Sequence, residues 1–317
     1  MNYIIRADKV KSVKARLFID INFPSLNVKE WILVTPKPPE HDTQSLRKYQ
    51  ALLNGAPTDI AVSNEFGPMR RDIFLERINA DARTSRGINF GMEYEFDLYA
   101  RKLVPGKYDK PLEDLDEFSR KAYLRPTNTV DWDSGEFQSW LKETPGMLKN
   151  SSDKDIVFAY NVYRYITDKG VYTTDKYLLA NSKPSLACRT LMTDCGGFAT
   201  LFTAVMRANG IPARTLDGWW AVSGAQTHCK AEFWAGGIGW VPVDITSGFK
   251  NPDRFFGRDY GDFITIHTDN DLVIDTIYWG QKEFWCDQGW LYWITSNGGS
   301  GAGQTFKGTW TVEKIKE

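Results

Sequence analysis

Cysteine is scarce in this 317-residue chain, which has four, too few for a disulfide scaffold at this length. Net charge is nearly absent as well, formally −1 at pH 7, so composition favours neither nucleic acid nor an acidic membrane as a partner. No uninterrupted apolar run approaches the roughly 20 residues needed to cross a bilayer as a helix. The opening MNYIIRADKVKSVKARL lacks the apolar core of a secretory signal. A soluble, cytoplasmic protein is therefore the expectation, although a leader removed earlier would leave no trace. No internal repeat is seen, and the length predicts two domains with room for a large core.

What the chain does have is a cysteine opening a helix. Within TDCGGFATLFTAVMRANGIPAR, the residues Phe198, Leu201, Phe202, Val205 and Met206 recur at helical spacing and form one apolar face. Thr193 and Asp194 are N-cap types, and Gly210, Ile211 and Pro212 supply the stop. Cys195 therefore falls in the first turn, where unpaired N–H groups and the positive end of the helix dipole favour thiolate over thiol. Gly196 and Gly197 each cost about 1 kcal/mol against Ala in a helix, so close approach of a substrate or a facing strand is expected there. The alternative is a buried structural cysteine.

Base and carboxylate follow on a hairpin. In HCKAEFW the period of two puts His228, Lys230, Glu232 and Trp234 on one face and Cys229, Ala231 and Phe233 on the other, which reads as core. After a glycine turn, WVPVD puts Trp240, Pro242 and Asp244 on one face. With Ala235, Gly236 and Gly237 as the loop, His228 lies directly across from Asp244, and a slip of two leaves them diagonal on the same face. A carboxylate beside an imidazole fixes its tautomer and stabilises the imidazolium formed when a thiol gives up its proton. Pro242 marks an edge strand or bulge. The set Cys188, Cys195, His228 and Cys229 offers zinc-ligand types, but it has no close CxxC pair, and His228 and Cys229 point to opposite strand faces. No metal or cofactor is expected. Asp269, Asn270 and Asp271 read as a turn, because the spaced ligands of a calcium loop are missing.

The order of elements predicts an α+β fold. Alternation in Val13, Ala15, Leu17 and Ile19, and again in Met92, Tyr94, Phe96 and Leu98, predicts an antiparallel, sandwich-like β domain over residues 1–125. Pro36 to Ala61, rich in Pro and polar residues, reads as long excursions between strands. The pattern breaks between Pro105 and about Val130. A catalytic domain over 126–317 then begins with helices at Gly135–Lys142 and Asp155–Asp168 and ends in strands flanking a glycine-rich turn, Asn297 to Gly303. Most tryptophans beyond Trp219 read as β-core packing, with Trp219 and Trp220 best placed to line a cleft for substrate.

Three blocks, DCGGFATLFTAVMRANGIPARTLDG, THCKAEFW and GIGWVPVDITSG, together resemble the transglutaminase-like superfamily of papain-type thiol enzymes. The resemblance implies Cys195, His228 and Asp244 as the catalytic residues. It also implies acyl transfer from an amide through a thioester, with Tyr172 matching a position that supplies an oxyanion donor beside the Cys195 backbone N–H. One departure is Lys230, where the family commonly has an aromatic residue. The family spans cross-linking transamidases, peptidases, peptide N-glycanases and inactive scaffolds. Hydrolysis of a peptide, protein or related amide is preferred because water is always available. Transfer to an amine acceptor is the alternative, and a non-catalytic binding scaffold a further one.

Overall fold

The computed structural model describes residues 2–316 apart from 60, 65–71, 176–182, 225, 270, 277–278 and 286–290. Its N-terminal part comprises strands β1 (Tyr3–Asn22), β2 (Leu26–Pro36), β3 (Gln44–Leu53), β4 (Ala56–Thr58), β5 (Ala61–Asn64), β6 (Asp72–Asn79) and β7 (Gly87–Pro105). The alternating segments pair with each other: Val13 faces Phe96, Ala15 faces Tyr94 and Leu17 faces Met92 across β1 and β7, and all six side chains are buried. The stretch expected as long excursions is instead the β3–β4 hairpin. Asn54 and Gly55 form its turn, both at positive φ (49° and 81°), the conformation that matches the right-handed twist of two strands joined by two residues.

The middle of the chain runs through helices α1 (Glu117–Ala122), α2 (Gly135–Glu143) and α3 (Asp155–Lys169), then β8 (Val171–Tyr172), α4 (Pro184–Thr190), β9 (Met192–Thr193) and α5 (Cys195–Ala208). Strands β10 (Ala213–Trp220), β11 (Thr227–Ala235) and β12 (Gly239–Val243) follow, then α6 (Ile245–Gly248), β13 (Arg258–Asp259) and β14 (Phe263–Thr268). Last come β15 (Asp271–Asp275), β16 (Gln281–Trp285), β17 (Leu291–Gly299) and β18 (Thr305–Lys314). The result is a mixed α+β fold, with antiparallel β structure first and helices after it. Asn270 lies outside the described residues. Its neighbours are committed elsewhere, Asp269 accepting from Arg207 at 2.7 Å and Asp271 accepting from the Thr129 hydroxyl at 2.5 Å.

Two sheets, β18-β1-β7-β3-β4 and β17-β2-β6-β5, enclose a core that includes Leu17, Trp31, Leu33, Phe74, Phe90 and Phe96. Grouping the last strands with the catalytic part therefore needs correction, because β18 pairs with β1 and β17 with β2. The reason is an open edge. The unpaired flanks of β1 and β2 are satisfied by strands that arrive only after the helical segment has been built. A second core joins α2, α3 and α5 to β11 and β12 through Phe137, Phe158, Phe198, Phe202, Phe233 and Val241. The sheet β12-β11-β10-β14 is thus backed by α5, and this packing sets Cys195 beside β11.

The two parts meet at buried charge. Glu232 on β11 is fully buried and accepts hydrogen bonds from Arg214 Nε at 2.6 Å, Arg101 Nη2 at 2.8 Å and His41 Nε2 at 2.9 Å. Burial alone would raise its pKa, but His41, Arg214 and Arg101 hold the carboxyl well below the usual range. Burial also pushes His41 down against the pull of Glu232. The neutral ring donates from Nε2 while Nδ1 accepts from the Thr43 backbone N–H at 3.2 Å. Removing Glu232 from such a group leaves the buried Arg101 and Arg214 guanidiniums without their carboxylate. Glu232→Ala should therefore lower unfolding free energy by about 3–5 kcal/mol, measured by urea denaturation, and a loss under about 1 kcal/mol would contradict this account.

Candidate active site

Asp194 caps α5, its carboxylate accepting from the Gly197 backbone N–H at 3.0 Å. Cys195 is consequently the first helical residue, with its N–H unclaimed within the helix. Gly197 is required by packing, since a Cβ there would sit 1.9 Å from Thr193 Oγ1 on β9. At Gly196 a Cβ would meet nothing closer than 3.4 Å, so packing within the protein accounts for Gly197 and not for Gly196. The thiol sits at the edge of the helical core, half-buried.

The β11–β12 register pairs Ala231 with Val243 and Trp234 with Trp240. This is two residues away from the directly opposed pairing expected for His228 and Asp244, because the turn occupies Gly236 to Ile238 and Ala235 still pairs with Gly239. The two side chains are diagonal neighbours on one face, and His228 Nε2 lies 3.0 Å from Asp244 Oδ2. Asp244 has left the strand. It caps α6, accepting at Oδ1 from the Ser247 backbone N–H at 3.0 Å and at Oδ2 from the Ser247 hydroxyl at 2.8 Å. Ser247 escaped sequence reasoning, although the spacing DITS, a capping residue three before its partner, carried the signal.

Since Nε2 is committed to Asp244, the other ring nitrogen is left for the thiol, and His228 and Cys195 lie close enough for each to shift the other's titration. The Cys195 thiol is held down to about 4: a hydrogen bond from the Cys229 side chain contributes most, burial opposes, and His228 adds a further hydrogen bond and its charge. Burial would lower His228, but the charge and hydrogen bond of Asp244 override it and raise the imidazole to about 9. Asp244 stays ionised, pushed down to about 2 by His228 and Lys230 against the effect of burial. Thiolate, imidazolium and carboxylate therefore coexist across neutral pH. Cys188 is the contrast: burial pushes it up to about 11, and its sulfur contacts the Ser185 carbonyl at 3.6 Å.

Trp220 stacks on the His228 ring, centroids 4.7 Å apart and planes 18° from parallel, and Phe263 meets the same ring edge-on at 6.0 Å. Gly218, paired with His228, lets β14 come close, since a Cβ there would sit 2.0 Å from the Ile264 carbonyl oxygen. Trp219 does not join Trp220. It stacks on Trp310 at 5.3 Å and packs against the N-terminal core, because alternation along β10 sends successive side chains to opposite faces. Tyr172, half exposed on β8, lies near Cys195; burial and the Cys195 charge raise its pKa. A cavity of 1030 Å³ lined by Tyr3, Tyr108, Leu112, Asp155 and Ile238 touches none of these groups. The shifted titratable groups gather instead around the thiol, where Cys195, His228, Asp244 and Tyr172 act on one another. Among the described residues no three His, Cys, Asp or Glu side chains converge as a metal cage, and no helix is long and apolar enough to cross a membrane.

Residues 144–245, which include Cys195, His228 and Asp244, match the model of the transglutaminase-like superfamily. The chain carries a transglutaminase-like domain. That superfamily is one of thiol-dependent enzymes. Around the transglutaminase-like domain the whole chain is similar in fold to a Cytophaga hutchinsonii protein provisionally named a cysteine protease, with a TM-score of 0.60, 14% identity, 99% of this chain covered and 94% of that one. At that identity the likeness concerns fold alone. The periplasmic domain of TgpA from Pseudomonas aeruginosa, solved free and bound to ethylmercury, matches at 13% identity over 73% of this chain and 91% and 93% of those chains; its TM-score of 0.36 carries no argument. No curated protein matches.

The charge pattern makes the thiol's titration a direct check. Iodoacetamide should alkylate Cys195 with inflections near pH 4 and pH 9, where the thiol and then the imidazolium lose their protons, while Cys188 stays unreactive below about pH 11. Peptide mapping reads the sites separately, and a single inflection near an ordinary thiol pKa of about 8.5 would overturn the ion-pair assignment.

Proposed function

We propose that the protein is a thiol-dependent acyl-transfer enzyme that hydrolyses a peptide or related amide through a thioester on Cys195. The observation that carries this reading is the 3.0 Å hydrogen bond between His228 Nε2 and Asp244 Oδ2, on an imidazole whose other nitrogen serves the thiol. The first bond formed joins Cys195 Sγ to the amide carbon. The carbonyl oxygen takes up the charge and is met by the Cys195 backbone N–H at the helix start, with the Tyr172 hydroxyl as second donor. His228 then gives its Nδ1 proton to the leaving nitrogen, the C–N bond breaks, and the thioester remains. The neutral imidazole next takes a proton from water, which attacks the thioester; a carboxylic acid leaves and the thiolate–imidazolium pair is restored. Asp244 holds Nε2–H throughout, so the proton always travels on Nδ1.

Water is the acceptor in this reading because it is always available, whereas a transamidase must exclude water and seat an amine until the thioester is consumed. Trp220 supports the imidazole, which leaves Tyr172 and the start of α5 as the groups nearest a bound amide.

A library of amides and peptides incubated with the protein, with and without a primary amine, and read by mass spectrometry tests the reading. Expected are acid products whose yield is unchanged by the amine. Cys195→Ala should abolish them with the fold retained, and Asp244→Asn should lower kcat by about 10²–10⁴-fold through loss of the correct tautomer. Products from the Cys195→Ala protein would end the covalent mechanism, and a dominant amine adduct would move the assignment to transamidation.

A further inference from the structure

Lys230 stands two residues along β11 from His228, on the same strand face, with only 5% of its surface exposed. Its ammonium lies 4.9 Å from the centre of the Trp220 ring and 4.6 Å from that of Phe263. These are the two rings that wall His228. Carboxylates answer the charge, Asp259 at 3.2 Å and Asp262 at 4.0 Å. Asp244 follows the last residue of β12, Val243, which pairs with Ala231, and its carboxylate is close enough for the two charges to act on each other. One buried cation thus touches both rings that hold the imidazole and acts on the carboxylate that orients it.

We propose that Lys230 is a positioning residue for the thiol–imidazole pair, its ammonium clamping Trp220 and Phe263 about His228 and supplying a fixed positive charge near Asp244. The proposal rests on the acyl-transfer reading of Cys195. The need for a fixed charge arises within the reaction. Once His228 has given its proton to the leaving nitrogen, Asp244 is buried beside a neutral ring. An apolar residue at position 230 would then leave the buried Asp244 and Asp259 without that cation, with the half-exposed Asp262 nearby, which raises the pKa of the two buried carboxyls. Lys230 itself remains charged, because Asp259, Asp244 and Asp262 outweigh the burial that would lower its pKa. Its role as a cation over two aromatic faces requires that charge. The other charged groups around the pocket are His228, Arg101 of β7 beside Asp259, and Lys11 of β1 near Asp262.

The test follows Cys195 alkylation by iodoacetamide against pH in the wild type, Lys230→Met and Lys230→Arg proteins, together with kcat and KM on the best amide of the library. In Lys230→Met, loss of a nearby positive charge disfavours thiolate and favours imidazolium, so both inflections should move up by about half a pH unit or more. kcat should fall about tenfold with KM within about twofold, as displacement of a reacting group without loss of binding requires. Lys230→Arg should keep both inflections near the wild-type values. If Lys230→Met fails to fold, its combination with Asp259→Asn removes the stranded carboxylate. The inflections should then return toward wild type while kcat stays about fivefold low or worse from the missing clamp. Unmoved inflections in a folded Lys230→Met protein, or full kcat in the paired variant, overturn the proposal while leaving Cys195 chemistry intact. A wild-type Cys195 that alkylates as an ordinary thiol instead sinks the acyl-transfer reading and this inference with it.

Discussion

The hydrogen bond between His228 Nε2 and Asp244 Oδ2 is the constraint on which the site depends. It joins an inner strand of the sheet β12-β11-β10-β14 to the cap of a short helix, so the ring's orientation is fixed by two elements at once. Without it, burial would strip the imidazole of its proton, and the thiol would lose its positive neighbour. With it, a charge series of carboxylate, imidazolium and thiolate becomes the stable arrangement at neutral pH. The helix dipole at Cys195 and the hydrogen bond from Cys229 act in the same direction, so no single contact has to supply the whole shift.

The same strand face that presents His228 goes on to bury Lys230 and Glu232. A polar face of this kind would ordinarily look to solvent. Here Arg101 and His41 from the N-terminal part satisfy Glu232, and Asp259, on a strand hydrogen-bonded to β7, satisfies Lys230. Buried ion pairs of this kind add little net stability compared with well-packed apolar residues, but they fix register, because any slip strands a charge. A slip along β11 would also carry His228 away from Asp244. The packing between the two parts of the molecule and the alignment of the site are therefore one constraint.

Much of this was legible in the sequence because the chemistry is local. The period of 3.6 in the Cys195 helix and the period of two in HCKAEFW and WVPVD placed thiol, imidazole and carboxylate on the correct elements and faces. The register missed by two residues because three glycines in a row of four offer several turns of similar cost. The β3–β4 hairpin was hidden by proline and polar residues on either side, although Asn54-Gly55 was a readable turn. Trp219 was misjudged because a two-residue aromatic run on a strand cannot line one wall. Lys230 stood out only as a departure from a family pattern; its partners Asp259 and Asp262 lie on a separate segment, and spacing along the chain cannot express that proximity.

The path of the chain through the two sheets explains why recognising a β domain did not locate its end. β18 pairs with β1 over ten residues, from Val13 opposite Lys314 to Asn22 opposite Thr305, and β17 completes the sheet of β2. The transglutaminase-like segment is therefore inserted between strands that belong to the same sandwich, with both of its ends anchored there. Such an insertion restrains the helical segment against rotation more strongly than a single linker would, since both termini are held by ladders of backbone hydrogen bonds. Arg101 near the end of β7 and Trp310 in the middle of β18 are two contacts at which this restraint reaches the site's sheet, through Glu232 and through the carbonyl of Trp220 at 2.9 Å. The second of these holds the residue that stacks on His228, so closure of the N-terminal sandwich by the last strand and placement of the base are mechanically continuous.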